Sequence, residues 1–131
     1  MNGLFVLLAV ASLSGCGGGG GSSSTSPNTN PPKVNTAPPV GGISVTNNLF
    51  GPSTKTVAVG TNIQWAWNTC AGDTYNGQTC VQHSVTFDDG SASSPLQDQG
   101  TFNKTFATAG TYAYHCSVHG TTGMTGTITV Q

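Results

Sequence analysis

The chain has 131 residues, only 5% of them charged, with no Arg and no Glu; three Lys stand against four Asp for a formal net charge of −1. That length suits one domain, and so few cationic side chains exclude a nucleic-acid binder, whose affinity rests on Lys and Arg neutralising phosphates. Strong electrostatic steering is excluded too, so a protein partner would have to be recognised by shape and apolar contact.

The opening run from Met1 to Ala11 is apolar but too short for a permanent membrane-spanning helix, and it leads into Leu13-Ser14-Gly15-Cys16. Residues 1–15 therefore read as an export signal peptide. The ending resembles a bacterial lipobox, which implies a lipid on Cys16 after cleavage and a protein anchored in the cell envelope, facing the periplasm or the outer surface. The segment departs from type in carrying no Lys or Arg ahead of its apolar run. The other reading is an ordinary secretory signal in which Cys16 stays unmodified. Residues 16–41 follow as Gly17 to Gly21, a Ser-rich stretch and then Pro27, Pro31, Pro32, Pro38 and Pro39, with too little apolar surface to fold. They predict a tether. A chain of about 25 such residues has a root-mean-square span of roughly 25–30 Å, which would raise the effective concentration of the domain near membrane-bound partners.

Residues 42–131 read as strand after strand, with no competing helical period. The expected strands are 43–50, 54–59, 62–67, 81–87, 101–108, 111–116 and 124–130, separated by turn signals such as Val59-Gly60-Thr61, Asp89-Gly90-Ser91 and Ala109-Gly110-Thr111. About seven to eight short strands in about 90 residues predict an all-β Greek-key sandwich. Cys70 and Cys80 flank a short polar loop ahead of the strand that carries His83, and in an exported protein this predicts a disulfide. Closing a loop of that length would stabilise the fold by roughly 2–3 kcal/mol. A redox or metal-binding role for this pair is disfavoured, because no further donor accompanies it at metal spacing.

The chemistry concentrates near the C-terminus, where Cys116-Ser117-Val118-His119-Gly120-Thr121-Thr122-Gly123-Met124 sets a thiolate, an imidazole and a thioether at Cys-x-x-His-x-x-x-x-Met spacing. Gly120, Gly123 and small polar residues let such a loop fold back on one ion. With His83 upstream, two His and one Cys could form a trigonal plane with a weak axial Met, the donor set of a blue-copper site. Taken singly, each of these residues has a plain structural use: Met as packing, Cys as a buried thiol, His as a hydrogen-bonded imidazole. Parity supports convergence. His83 goes with Val85 and Phe87, Cys116 with Tyr112 and Tyr114, and Met124 with Gly126, Ile128 and Val130, all expected to face inward. His115 has the opposite parity, which excludes it as a ligand and makes it a surface residue or part of a second electron route. Trp65 and Trp67 share parity, so both are expected to pack inward, or one of them to line the copper end.

These segments resemble the cupredoxins, type 1 copper proteins, most nearly those of plastocyanin and halocyanin type. The resemblance runs from Ile43 to Val130. It is carried by Thr54 to Trp65, His83 to Gly90, Gly100 to Phe102, Phe106 to Tyr112 and the Cys116 to Val130 stretch. It implies a cupredoxin β-sandwich binding one copper, with His83, Cys116 and His119 equatorial and Met124 axial. It also implies an electron carrier rather than an enzyme, cycling Cu(II) and Cu(I) between redox proteins such as a cytochrome or a terminal oxidase or reductase. The carrier is expected to be a monomer, exposing an edge of His119 to its partner. Two positions depart from type: Ser84, where many members carry Asn tying the two ligand loops together, and Val118, where plastocyanins usually carry Pro. Other readings of the same residues are copper delivery or buffering, and a metal-free recognition sandwich.

Overall fold

The computed structural model describes residues 32–73 and 76–131. The export signal, Cys16 and most of the tether lie outside these residues. Every regular element described is a strand: β1 (Ile43–Thr46), β2 (Leu49–Gly51), β3 (Thr54–Val57), β4 (Asn62–Trp67), β5 (Cys70–Asp73), β6 (Gly77–Cys80), β7 (Thr86–Phe87), β8 (Thr101–Thr105), β9 (Gly110–His115) and β10 (Thr125–Val130). They make two four-stranded sheets, β2-β1-β4-β8 and β3-β10-β9-β7, and a separate hairpin, β5-β6.

The sheets face each other across an aromatic core, as alternation along each strand requires. Trp65, on β4, meets Tyr114 on β9 and Phe87 on β7, with ring centroids 5.5 and 5.9 Å apart. Trp65 and Trp67 are both fully buried, as their shared parity predicts. Gly126 is required on β10 because it pairs with Tyr114, whose ring lies across it; a Cβ there would stand 2.2 Å from the tyrosine Cζ. The Tyr112 hydroxyl donates to the Thr108 carbonyl at 2.9 Å, pinning the start of β9 in the manner of a tyrosine corner.

Three expected strands come out differently, each for a local reason. The 43–50 run is a hairpin, turned at Asn48 with φ of 67°, a conformation Asn tolerates better than most side chains. The 101–108 run stops at Thr105, and the Phe106 amide turns to the Thr61 carbonyl. The 81–87 run keeps only Thr86 and Phe87 as strand. Its backbone bonds the 93–97 loop instead: Val85 N–H donates to Ser94 Oγ at 2.8 Å and Phe87 N–H to Ser93 Oγ at 3.2 Å. Serine hydroxyls have replaced a neighbouring strand.

The segment from Lys33 to Gly41, read from the sequence as the last part of the tether, is bonded to the domain. Lys33 pairs with Asp98, Asn35 is bonded to the Cys70 backbone, and Thr36 N–H donates to the Trp67 carbonyl at 2.7 Å. The segment then follows β4 toward its start: the Gly42 α-carbon packs so closely on Gln64 that a Cβ would be 2.9 Å from its carbonyl oxygen. A turn closed by Gly42 N–H on the Pro39 carbonyl reverses the chain into β1, parallel to β4. Lys33 thus lies at the end of the sandwich where Trp67 and His83 meet.

Candidate metal centre

Cys116 directly follows β9, buried like Tyr114 two residues before it, and its backbone organises the loop that follows. The Cys116 carbonyl accepts from both His119 N–H and Gly120 N–H at 3.0 Å, while Cys116 N–H donates to the Met124 carbonyl at 2.9 Å. This turn needs two glycines. Gly120 has φ of 64°, and a Cβ on Gly123 would come 2.7 Å from the His119 carbonyl oxygen. The outcome is that Met124, at the head of β10, lies beside Cys116 in the backbone, and both side chains are buried.

His83 arrives from the other side of the sandwich. It is fully buried, and its backbone exchanges two hydrogen bonds with Gln97 at 2.9 and 3.1 Å. Its carbonyl also accepts from Trp67 Nε1 at 3.0 Å. His83 Nδ1 comes to 3.6 Å from Cys116 Sγ, and its ring stacks on His119 with centroids 5.1 Å apart. The donor atoms of His83, Cys116 and His119 all lie within 4.8 Å of one another, the one group of three such donors among the described residues.

The electrostatics suit a metal. Burial, and then the neighbouring His119, push the His83 pKa below its ordinary value, so the ring is a neutral donor that need not release a proton to bind. His119 Nδ1 is buried without a hydrogen-bond partner. An orphaned buried nitrogen is costly, and a metal held with the neighbouring thiolate would supply what it lacks. A soft thiolate, two imidazoles and a thioether also match copper in both oxidation states. The residues present therefore fit the ion.

The two ligand-bearing segments are tied together without the Asn found in many cupredoxins. Ser84 Oγ accepts from Ser117 N–H at 2.9 Å and meets Ser117 Oγ at 2.9 Å. Ser84 N–H points at Cys116 Sγ at 3.5 Å. The cross-link that Asn supplies in many relatives is built here by a pair of serines. Ser117 went unrecognised because its partner is 33 residues away, although two short hydroxyls flanking His83 and Cys116 were the available signal. Trp67 is the tryptophan that lines the copper end, whereas Gln97, which holds the His83 backbone, was not identifiable as a support from spacing alone.

His115 lies outside the donor group: its Nδ1 is 2.6 Å from Asp88 Oδ1. Cys70 and Cys80 are opposite each other in β5-β6 and disulfide-bonded. Among the four donors His119 alone is incompletely buried, and the exposed Val118 precedes it. Exposed Val81 and Leu96 lie close by in sequence to His83 and to its partner Gln97. Residues 81–87 and 116–124 carry no charged side chain, and Asp98, beside Gln97, is paired with Lys33.

A two-sheet sandwich closed at one end by this donor set defines a cupredoxin. Residues 42–131 match the model of the copper-binding proteins of the plastocyanin/azurin family, and the chain belongs to that family. A plastocyanin from Scenedesmus fuscus is 32% identical over 95 residues, covering 63% of this chain and 87% of that one. A mutant fern plastocyanin superposes with a TM-score of 0.53 at 25% identity, over 69% of this chain and 99% of that one. A purple cupredoxin from Nitrosopumilus maritimus shares the fold at 22% identity and TM-score 0.53, over 69% of this chain and 98% of that one. Copper is the cofactor of the family, and His83, Cys116, His119 and Met124 form the pattern of a type 1 copper site.

Proposed function

We propose that this protein is a blue copper electron carrier of the cell envelope, in which His83, Cys116, His119 and Met124 would hold one copper. The observation that carries the reading is the tight, buried donor group from which only His119 reaches the surface. Bound copper supplies a one-electron couple. The chain's part is to keep its donors in place in both oxidation states, so that little rearrangement opposes electron exchange. Hydrogen bonds from Ser84 N–H to the Cys116 sulfur and from the Ser84–Ser117 pair across the loops serve that purpose. The His119 edge, framed by Val118 and the small residues of the loop, is the exit toward a redox protein with an apolar, uncharged docking face.

Export by residues 1–15 and a lipid on Cys16 belong to the same proposal. A tether joined at Lys33 would meet the domain at its copper end, bringing that face within reach of membrane-bound partners such as a cytochrome or terminal oxidase. Stopped-flow mixing of the reduced protein with an oxidised cytochrome tests the carrier role. Electron exchange with copper retained supports it; copper release on the same timescale, without oxidation, would favour delivery or buffering instead.

A further inference from the structure

The two halves of the metal centre are supported very differently. Cys116, His119 and Met124 share one loop whose own backbone bonds hold it closed. His83 has no such turn. A metal-bound His normally donates its second ring nitrogen to an outer partner, which fixes the ring. The His83 Nδ1 faces the thiol, and its Nε2 is buried with no hydrogen-bond partner among the described residues. The position of the ring therefore depends on where the His83 backbone is held.

That backbone is held by Gln97 and by the Trp67 indole, and both lead to the segment ahead of β1. Thr36 N–H bonds the Trp67 carbonyl at 2.7 Å. Lys33 pairs with Asp98, the residue next to Gln97. Asn35 closes a ring with Cys70, donating from Nδ2 to its carbonyl at 3.0 Å and accepting its N–H on Oδ1 at 2.9 Å. Cys70 in turn begins the disulfide-closed hairpin whose other strand leads into Val81 and His83. The buried Thr69 joins these parts: its hydroxyl donates to the Asp98 carbonyl at 2.8 Å, and its carbonyl accepts Val81 N–H at 3.3 Å. Three strap residues thus grip three elements that surround His83, and all three stand ahead of the residues 42–131 matched by the family model.

We infer that Lys33–Thr36 is a strap that positions His83, with Asn35 as its principal positioning residue, so that copper affinity and site geometry in this chain depend on residues outside the sandwich proper. The inference rests on copper binding at His83, Cys116 and His119. Asn35 touches no donor; it acts through Cys70 and the hairpin.

The test compares Asn35→Ala with Asn62→Ala in the full chain. Asn62 Nδ2 donates to Thr105 Oγ1 at 2.9 Å at the opposite end of β4, so its loss is a matched structural control. Copper(II) affinity by competition titration, the copper hyperfine splitting in electron paramagnetic resonance, and the urea midpoint of the copper-free protein are measured for each. Asn35→Ala is expected to lose about tenfold in copper affinity, the low end of what removing an outer support of a metal ligand costs, and to change the hyperfine splitting. Asn62→Ala should lower the urea midpoint and leave the splitting alone. Asn35→Asp, which keeps the acceptor for Cys70 N–H, should recover part of the affinity. Native affinity and splitting in Asn35→Ala, or equal changes in both alanine variants, would overturn the inference. Failure of the unmodified protein to bind copper would instead sink the copper reading itself.

Discussion

The Cys116–Met124 loop and the His83 segment contribute to one site by opposite means. In the loop, sequence neighbours bond each other: the Cys116 carbonyl takes two amides from within four residues, and Gly120 and Gly123 permit the close turn. The His83 segment has almost no structure of its own. It is a single bridge to Gln97 between a disulfide-closed hairpin and a serine-rich loop, and it borrows support from Trp67 and the strap. A metal site can thus be locally encoded on one side and assembled from distant parts on the other. The Ser84–Ser117 pair is the seam between them.

The largest effect should come from the loop. Among the described residues Cys116 is the only free cysteine, so Cys116→Ser should abolish the thiolate-to-copper absorption band entirely. A band that persisted in the visible spectrum would assign the thiolate elsewhere. Next comes Gly126→Ala, which drives a Cβ into the Tyr114 ring. It should cost about 1–3 kcal/mol, read as a lowered urea midpoint of the copper-free protein, because overpacking a rigid core displaces side chains. An unchanged midpoint would show that Tyr114 can move aside. Ser84→Ala cuts the seam and should cost about 1 kcal/mol, with a shift of the reduction potential by voltammetry that Ser84→Asn largely restores. An unmoved potential would mean that the two segments are independent.

A smaller effect is expected from protons. The His83 pKa is lowered in the fold from its ordinary 6.5, first by burial and then by His119. The unfolded chain therefore binds the proton more readily. The His83 contribution to stability is fully present above pH 6.5 and is lost as pH falls from there through the folded value. Urea midpoints of the copper-free protein should fall over that window and flatten in His83→Gln; a flat profile for the unmodified chain would contradict the burial of a neutral imidazole. The smallest response should be to salt. With a net charge of −1 and no free charge on the ligand-bearing segments, the association rate with a redox partner should change little with ionic strength. A steep salt dependence in stopped flow would place the docking face elsewhere, near charged residues such as Asp88 and Asp89.

How far the sequence is legible follows the same divide. The ligand loop, the inward parity of His83, Cys116 and Met124, the paired tryptophans and the Cys70–Cys80 bond depend on local spacing or period-two alternation, which a linear sequence displays. The strands at 62–67 and 124–130 are nearly as expected for that reason. The 81–87 stretch has the same alternating pattern, but its amides found the hydroxyls of Ser93 and Ser94, and nothing in the pattern separates that from a paired strand. Lys33, Asn35 and Thr36 sit in a Pro-rich stretch whose composition signals a tether. Their contacts with Asp98, Cys70 and Trp67 are specific long-range bonds to which composition is blind.

The most direct measurement is the visible absorption and electron paramagnetic resonance spectrum of the full chain titrated with copper(II) and then reduced with ascorbate. A type 1 site gives an intense thiolate-to-copper band and a narrow copper hyperfine splitting at one copper per chain, both vanishing on reduction and returning on reoxidation. A colourless protein after one equivalent of copper, or a spectrum typical of nitrogen and oxygen donors alone, would contradict a site built from His83, Cys116, His119 and Met124.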